Sequence, residues 1–292
     1  MIRMSEYSFV AALLAAGLAF ACYALSFVVL RVARMWRAGG GVGDHAMVAV
    51  ASGSGSLGGY GTLVAWLAFT FTTASLAFRA AATGHGPFAN MYEFAIAFAW
   101  GVLAMHVSFE RRYRQRTLGL VTLPVALALL LYAASIPATL EPLVPALQNS
   151  LLLTVHVAVA IVAYGTFSVA FAAAVLYLVQ PERGRGGLPR PALLDEIAHR
   201  AVVIGFPFLT LVIVLGAVWA EVAWGSYWSW DPKETAALVT WLIYGSYLHA
   251  RVVRGWSGRR AAWLLVLGFA ATLFTYFGNV FFGGLHSYSG LG

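Results

Sequence analysis

Long apolar runs recur from one end of this 292-residue chain to the other, with only short polar connections between them. Each supplies the ~20 residues that a ~30 Å hydrocarbon core requires of a spanning helix. The runs place eight such helices at roughly Tyr7–Leu30, Thr62–Ala82, Met91–Phe109, Leu118–Ala134, Ser150–Val179, Ala201–Ala223, Thr235–Val253 and Ala261–Phe282. The fold class is therefore an all-α polytopic membrane protein, a single membrane domain over residues 1–292 with no room for a separate soluble domain. Charge agrees: 10% of the residues are Asp, Glu, Lys or Arg, against about 25% in soluble domains. The start, Met1 to Tyr7, lacks a strongly basic n-region and a clear small-residue cleavage site, so the first run reads as a retained helix. Cys22 is the one cysteine. That excludes an internal disulfide, CxxC dithiol exchange and a haem held by the chain's own CxxCH.

The net charge of +7 is mostly a matter of orientation. Arg31, Arg34 and Arg37 fall in one connection, and Arg111, Arg112, Arg114 and Arg116 in the next on the same side. Arg183, Arg185, Arg190 and Arg200 follow, then Arg251, Arg254, Arg259 and Arg260. These are fifteen of the eighteen basic residues; Arg3, Arg79 and Lys233 are left for the other side. The positive-inside rule makes the Arg-rich connections cytoplasmic. Both termini, the loops around His85 and Glu141, and the loop between helices six and seven then face outside. The Arg clusters are short and abut spanning segments, so nucleic acid is not an expected partner. Gly53-Ser54-Gly55-Ser56-Leu57-Gly58 matches GxGxxG, but no strand precedes it and a spanning helix follows, so the dinucleotide reading fails on context. The expectation there is a flexible cytoplasmic linker, within a connection at residues 31–61. A second linker is expected at 181–200, with Leu193 to Ala198 as a short amphipathic surface helix.

Trp224-Gly225-Ser226-Tyr227-Trp228-Ser229-Trp230-Asp231-Pro232-Lys233-Glu234 is the external loop that the rest of the chain frames. Three indoles so close together, with Tyr227 between two of them, exceed what an interfacial aromatic belt needs. They read as a platform for a flat apolar ligand. Asp231, Pro232 and Glu234 have a structural explanation as N-cap, first helical residue and capping-box partner of helix seven. Lys233 is nearly the only outer cation near the platform, placed either to meet a propionate or to mark the interface.

The histidines give the ligand its chemistry. His156 lies six residues into helix five, roughly 9 Å below its outer end, and His286 follows helix eight on the same side. His85 sits in the outer loop Gly84-His85-Gly86-Pro87. His249, fifteen residues beyond Glu234, lies roughly 22 Å deeper. His45, His106 and His199 read as structural or solvated. An ionisable side chain inside a membrane is costly and usually functional, and His156 with His286 beside a tryptophan platform fits an iron-porphyrin. Zinc or copper would need a third or fourth ligand that the outer side does not offer.

WGSYWSWDPKE resembles the signature of the WWD-domain haem-handling proteins of cytochrome c maturation, the CcsA/ResC family above all. GHGPFANMYE (Gly84–Glu93), Leu153-Thr154-Val155-His156 with Tyr164, TWLIYGSYLHAR (Thr240–Arg251) and GLHSY (Gly284–Tyr288) extend the resemblance, in order, over most of the chain. It implies haem b as cofactor, an outer site ligated by His156 and His286, and a deeper haem site to which His249 contributes. It implies a membrane partner of the CcsB/ResB type supplying the opposite ligand there, apocytochrome c with CxxCH as acceptor, and location in the bacterial plasma membrane or a thylakoid. The expected haem-contacting set is His156, His286, His249, Trp224, Trp228, Trp230, Tyr227, Lys233 and His85. The implied function is haem movement to the outer side and presentation for thioether formation, as part of a holocytochrome c synthase. A haem exporter without ligase activity and a bis-histidine cytochrome b subunit are the alternatives. No residue set for acid–base or nucleophilic catalysis is present, which fits a chain that binds and orients while its substrate supplies thiols.

Overall fold

The computed structural model describes residues 1–38, 44–140, 150–180, 187–282 and 284–286. Among these the chain forms eight α-helices and no strand. They are α1 (Ile2–Ala38), α2 (Asp44–Thr83), α3 (Met91–Tyr113), α4 (Gly119–Ser135, after a 3-10 turn at Arg116–Leu118), α5 (Ser150–Val179), α6 (Pro191–Trp224), α7 (Pro232–Arg254) and α8 (Arg259–Phe281). Seven are long and apolar enough to cross a membrane. The exception, α7, has 23 residues but carries Thr235, Thr240, Ser246 and His249 along its length. The chain is a multi-pass membrane protein. Consecutive helices pack as neighbours in the pairs α1 with α2, α3 with α4, α5 with α6 and α7 with α8.

Two expected linkers are in part helix. From Asp44 the Gly/Ser stretch belongs to α2, whose 40 residues span about 60 Å at 1.5 Å per residue, twice the hydrocarbon core. The last glycines of the stretch are packing positions, while Gly53 and Gly55 face open space. A Cβ on Gly61 would come within 2.7 Å of the Tyr23 ring, and one on Gly58 within 3.0 Å of Arg116. The serines turn inward to their own helix: Ser52, Ser54 and Ser56 donate to the carbonyls of Ala49, Ala51 and Gly53. Packing against α1 thus overrides the low helix propensity of glycine. Similarly, Leu193–Ala198 is not a separate surface helix. α6 begins at Pro191 and runs unbroken through Asp195, which Arg251 of α7 grips with Nη1 at 2.8 Å and Nη2 at 2.5 Å. His45, Arg37 and the loop at Glu141 lie outside the residues whose side chains are described.

α5 is the axis of the bundle, packed on α3, α4, α6 and α8. It touches α3 through glycines: a Cβ on Gly165 would sit 2.5 Å from the Gly101 carbonyl oxygen, and one on Gly101 would sit 2.8 Å from that of Ile161. Small residues at a crossing let two backbones meet, the usual basis of close helix association in lipid. The start of α3 is held by a polar knot. Asn90 caps it by accepting from Glu93 N–H at 3.0 Å. Arg79 of α2 reaches Glu93 at 2.6 Å and donates to the carbonyls of Ala138 and Thr139 beyond α4. Its guanidinium lies 4.8 Å from the Tyr92 ring centroid. Both charges are buried.

Candidate functional site

One end of the bundle brings together the N-terminal turns of α3, α5 and α7 and the C-terminal turns of α6 and α8. Between them lies a cavity of about 1030 Å³, its open mouth included, mostly apolar with a few convergent polar groups, as ligand sites are. Phe94, Phe98, Leu153, Val157 and Val212 make its walls apolar. His156, Trp228, Lys233, Tyr276 and His286 supply the polar atoms.

Asp231 organises the site. It caps α7, accepting from Lys233 N–H at 2.9 Å, and Glu234 reaches back to Asp231 N–H at 3.2 Å to complete a capping box. The same carboxylate accepts from Leu285 N–H at 2.7 Å and meets His286 Nδ1 at 2.8 Å. A carboxylate only accepts, so Nδ1 is the donor and the tautomer of a neutral His286 ring is set. Burial pushes the His286 imidazole below its ordinary value, against the raising effect of Asp231. Burial would raise the Asp231 carboxyl, but the hydrogen bonds from His286, Lys233 and Leu285 hold it down at about 2. A carboxylate behind a ligating imidazole fixes ring orientation and tautomer and strengthens it as a ligand. Trp224 and Trp219 wall the same ring, with centroids 4.8 and 5.7 Å away.

The approach of residues 284–286 to the α7 cap depends on one glycine. A Cβ on Gly284 would fall 2.3 Å from Asp231 Oδ2 and 3.1 Å from Pro232 Cδ. Gly284→Ala is therefore expected to push His286 off Asp231 and lower ligand affinity about tenfold or more, an effect of the size seen when the partner behind a ligand is lost. Unfolding temperature should change far less. Absorbance titration and thermal unfolding of the variant measure the two.

His156 enters from α5. Its Nδ1 is buried with no hydrogen-bond partner, and its ring leaves no room for a side chain at Gly216, where a Cβ would come within 3.0 Å. Trp228 Nε1 and the Tyr276 hydroxyl are likewise buried and unpartnered. Buried polar groups are normally satisfied, so three orphans around one cavity point to a ligand. Lys233 lines it as well. The Glu234 carboxylate is turned to Ser229 and Asp231 N–H, Asp231 is engaged as above, and Lys233 forms no ion pair among the described residues. Among those residues no group of three His, Cys, Asp or Glu gathers to hold a bare metal ion. Two imidazoles, indoles and a cation in an apolar cavity fit a haem.

The structure redistributes the tryptophans. Of the three expected to form a platform, Trp228 lines the cavity. Trp224 packs on His286, and Trp230, in a left-handed conformation (φ 59°), is 69% exposed behind Trp228. Tyr227 is exposed too. Trp219 and Tyr276, inside apolar runs and so without a sequence signal of their own, belong to the site instead. His85 is outside the cavity wall, its Nδ1 2.8 Å from the Gly86 carbonyl. His249 is exposed on α7, sixteen residues and roughly 24 Å beyond Lys233. His106 is buried with Thr122 and Glu110.

Comparison with known proteins places the chain. The model of the cytochrome C assembly protein family matches residues 88–286. The chain belongs to that family. Its relatives include the cytochrome c biogenesis protein CcsA of Picosynechococcus, 36% identical over 80% of this chain and 88% of the relative. The CcsA proteins of Synechococcus elongatus (38% identity; 70% and 79% covered) and Guillardia theta (36%; 80% and 86%) are similar. The chain is thus of the CcsA type, with a general role in cytochrome c biogenesis. The solved structure of the cytochrome c haem lyase CcmF shares the fold, with a TM-score of 0.61 at 21% identity over 92% of this chain and 46% of that one.

Proposed function

We propose that this chain carries haem b to the side of the membrane bearing the tryptophan-rich loop and presents it there to apocytochrome c. The observation that carries the reading is His286, held by Asp231, lining the same cavity as His156, whose Nδ1 is buried without a hydrogen-bond partner. Haem is cargo, not a resident group, and this chain's residues bind and orient it. His156 and His286 are the iron ligands of the outer site. Two axial imidazoles leave no position for oxygen. Lys233, without an ion pair, meets a propionate, since an unpaired buried cation is costly. Trp228 and the Phe94 and Phe98 rings cover the apolar face. The acceptor's CxxCH thiols add across the vinyl groups, so this chain needs no nucleophile. His249, exposed on α7, serves a second haem site with a membrane partner of the CcsB type. The Arg-rich connections support an orientation with both termini and the tryptophan-rich loop outside.

The test is the haem spectrum of protein purified with and without such a partner. His156→Ala and His286→Ala are each expected to cut haem retention by more than about tenfold, on the order of 1.4 kcal/mol, and to convert a six-coordinate low-spin spectrum. His249→Ala should matter only with the partner present. Retention unchanged in all three variants sinks the ligand assignment. Haem bound but never joined to a CxxCH peptide, partner included, favours an exporter without ligase activity.

A further inference from the structure

The far end of the bundle holds a second cavity. Met91, which lines the cavity of His156 and His286, and Glu110, which lines this one, are nineteen residues apart on α3, roughly 28 Å. The cavity, about 1070 Å³ with its mouth, lies among α1, α2 and the α3–α4 connection. Its polar lining is unbalanced. Arg111, Arg114 and Arg116 all face it, and none has an ion-pair partner among the described residues. Thr117 adds a buried hydroxyl with no partner. The one carboxylate, Glu110, is already saturated: Tyr23 and Thr62 donate hydroxyls to it, and His106 Nε2 stands 3.3 Å away. Ser26 and Ser54 spend their hydroxyls on the carbonyls of Ser54 and Ala51. Among the described residues, what remains is guanidinium groups that meet no carboxylate.

Arg114 sharpens the point. It ends α3 in the left-handed conformation, φ 54° and ψ 36°, a position that normally takes glycine. An arginine at that position is conformationally strained, so its guanidinium has a use that glycine cannot serve. Arg116 is anchored, donating through Nη1 to the Gly55 carbonyl at 2.9 Å, which fixes one side of the site. Phe27, Leu30 and Ala51 give the cavity an apolar flank.

From these features we infer that the cavity binds a phosphate ester, and specifically the headgroup of an anionic glycerophospholipid whose apolar part meets the Phe27, Leu30 and Ala51 flank. Guanidinium groups match phosphate oxygens in charge and geometry, and basic pockets between spanning helices suit anionic headgroups. The apolar flank favours a lipid over a free phosphate. The site is separate from the haem cavity, so neither reading depends on the other.

The test uses the full chain in nanodiscs of equal phosphatidylglycerol and phosphatidylcholine, with native mass spectrometry counting the lipids retained. Wild type is expected to retain phosphatidylglycerol preferentially. Each arginine removed should reduce that preference about fivefold, and the R111Q/R114Q/R116Q variant should abolish it. R254Q/R259Q, outside the cavity, should leave it unchanged. Arg114→Gly guards against misfolding: it relieves the left-handed strain, so thermal stability in pure phosphatidylcholine should hold or rise while the preference still falls. No preference in wild type, equal loss in the two multiple variants, or an Arg114→Gly protein that keeps the full preference overturns the proposal. Inorganic phosphate stabilising wild type but not the triple variant, without phosphatidylglycerol retention, assigns the cavity to a soluble phosphate ester and overturns the lipid.

Discussion

Asp231→Ala is expected to weaken haem binding about 10- to 100-fold, the range for losing the carboxylate behind a ligating imidazole. The carboxylate holds three partners at once: Lys233 N–H, Leu285 N–H and His286 Nδ1. Its removal also costs the helix cap, about 1 kcal/mol. Asp231→Asn separates the two effects. Asparagine caps as well as aspartate, so α7 should keep its stability, but a neutral amide polarises His286 less and haem affinity should fall about tenfold. Affinity is read from a Soret titration and stability from thermal unfolding in the same detergent. If the asparagine variant bound haem like wild type, Asp231 would be a helix cap alone.

The second large effect concerns stability. Arg79→Ala leaves Glu93 buried, 1% exposed, with the Ala89 and Asn90 contacts but no charge partner. Breaking one side of a buried pair costs about 3–5 kcal/mol. It also removes the hydrogen bonds by which Arg79 ties the Ala138 and Thr139 carbonyls to α2. Because Met91 and Phe94 of the same first turn line the haem cavity, haem affinity should fall together with unfolding temperature. Arg79→Met combined with Glu93→Leu removes both charges and should recover most of the lost stability. A double variant no better than Arg79→Ala would show that the carbonyl contacts, rather than the ion pair, hold this end together.

Membership of the cytochrome c assembly family explains why so much was legible in linear order. The apolar runs fix eight helices because each must be long enough to cross lipid, and helix boundaries for α3, α5 and α7 fall within a few residues of expectation. Asp231, Pro232 and Glu234 announce the start of α7 because capping is local chemistry. His156 and His286 face one cavity, as rise per residue and a charge count placed them on one side.

Other features had no signal in the chain itself. The end of the Gly/Ser stretch packs closely because Arg116 sits against Gly58 and Tyr23 against Gly61, and no local rule reports a neighbour that distant. Trp230 and Trp219 exchanged roles for the same reason. Indoles in a loop look alike in sequence, and only the path of residues 284–286 across the α7 cap decides which one faces His286. Asp231 holds both a helix start and an imidazole 55 residues away. Sequence determined the helices and the cap, because these rest on period, length and residue chemistry. Tertiary structure decided which indoles, imidazoles and arginines line a cavity, because that depends on which groups converge once distant helices pack.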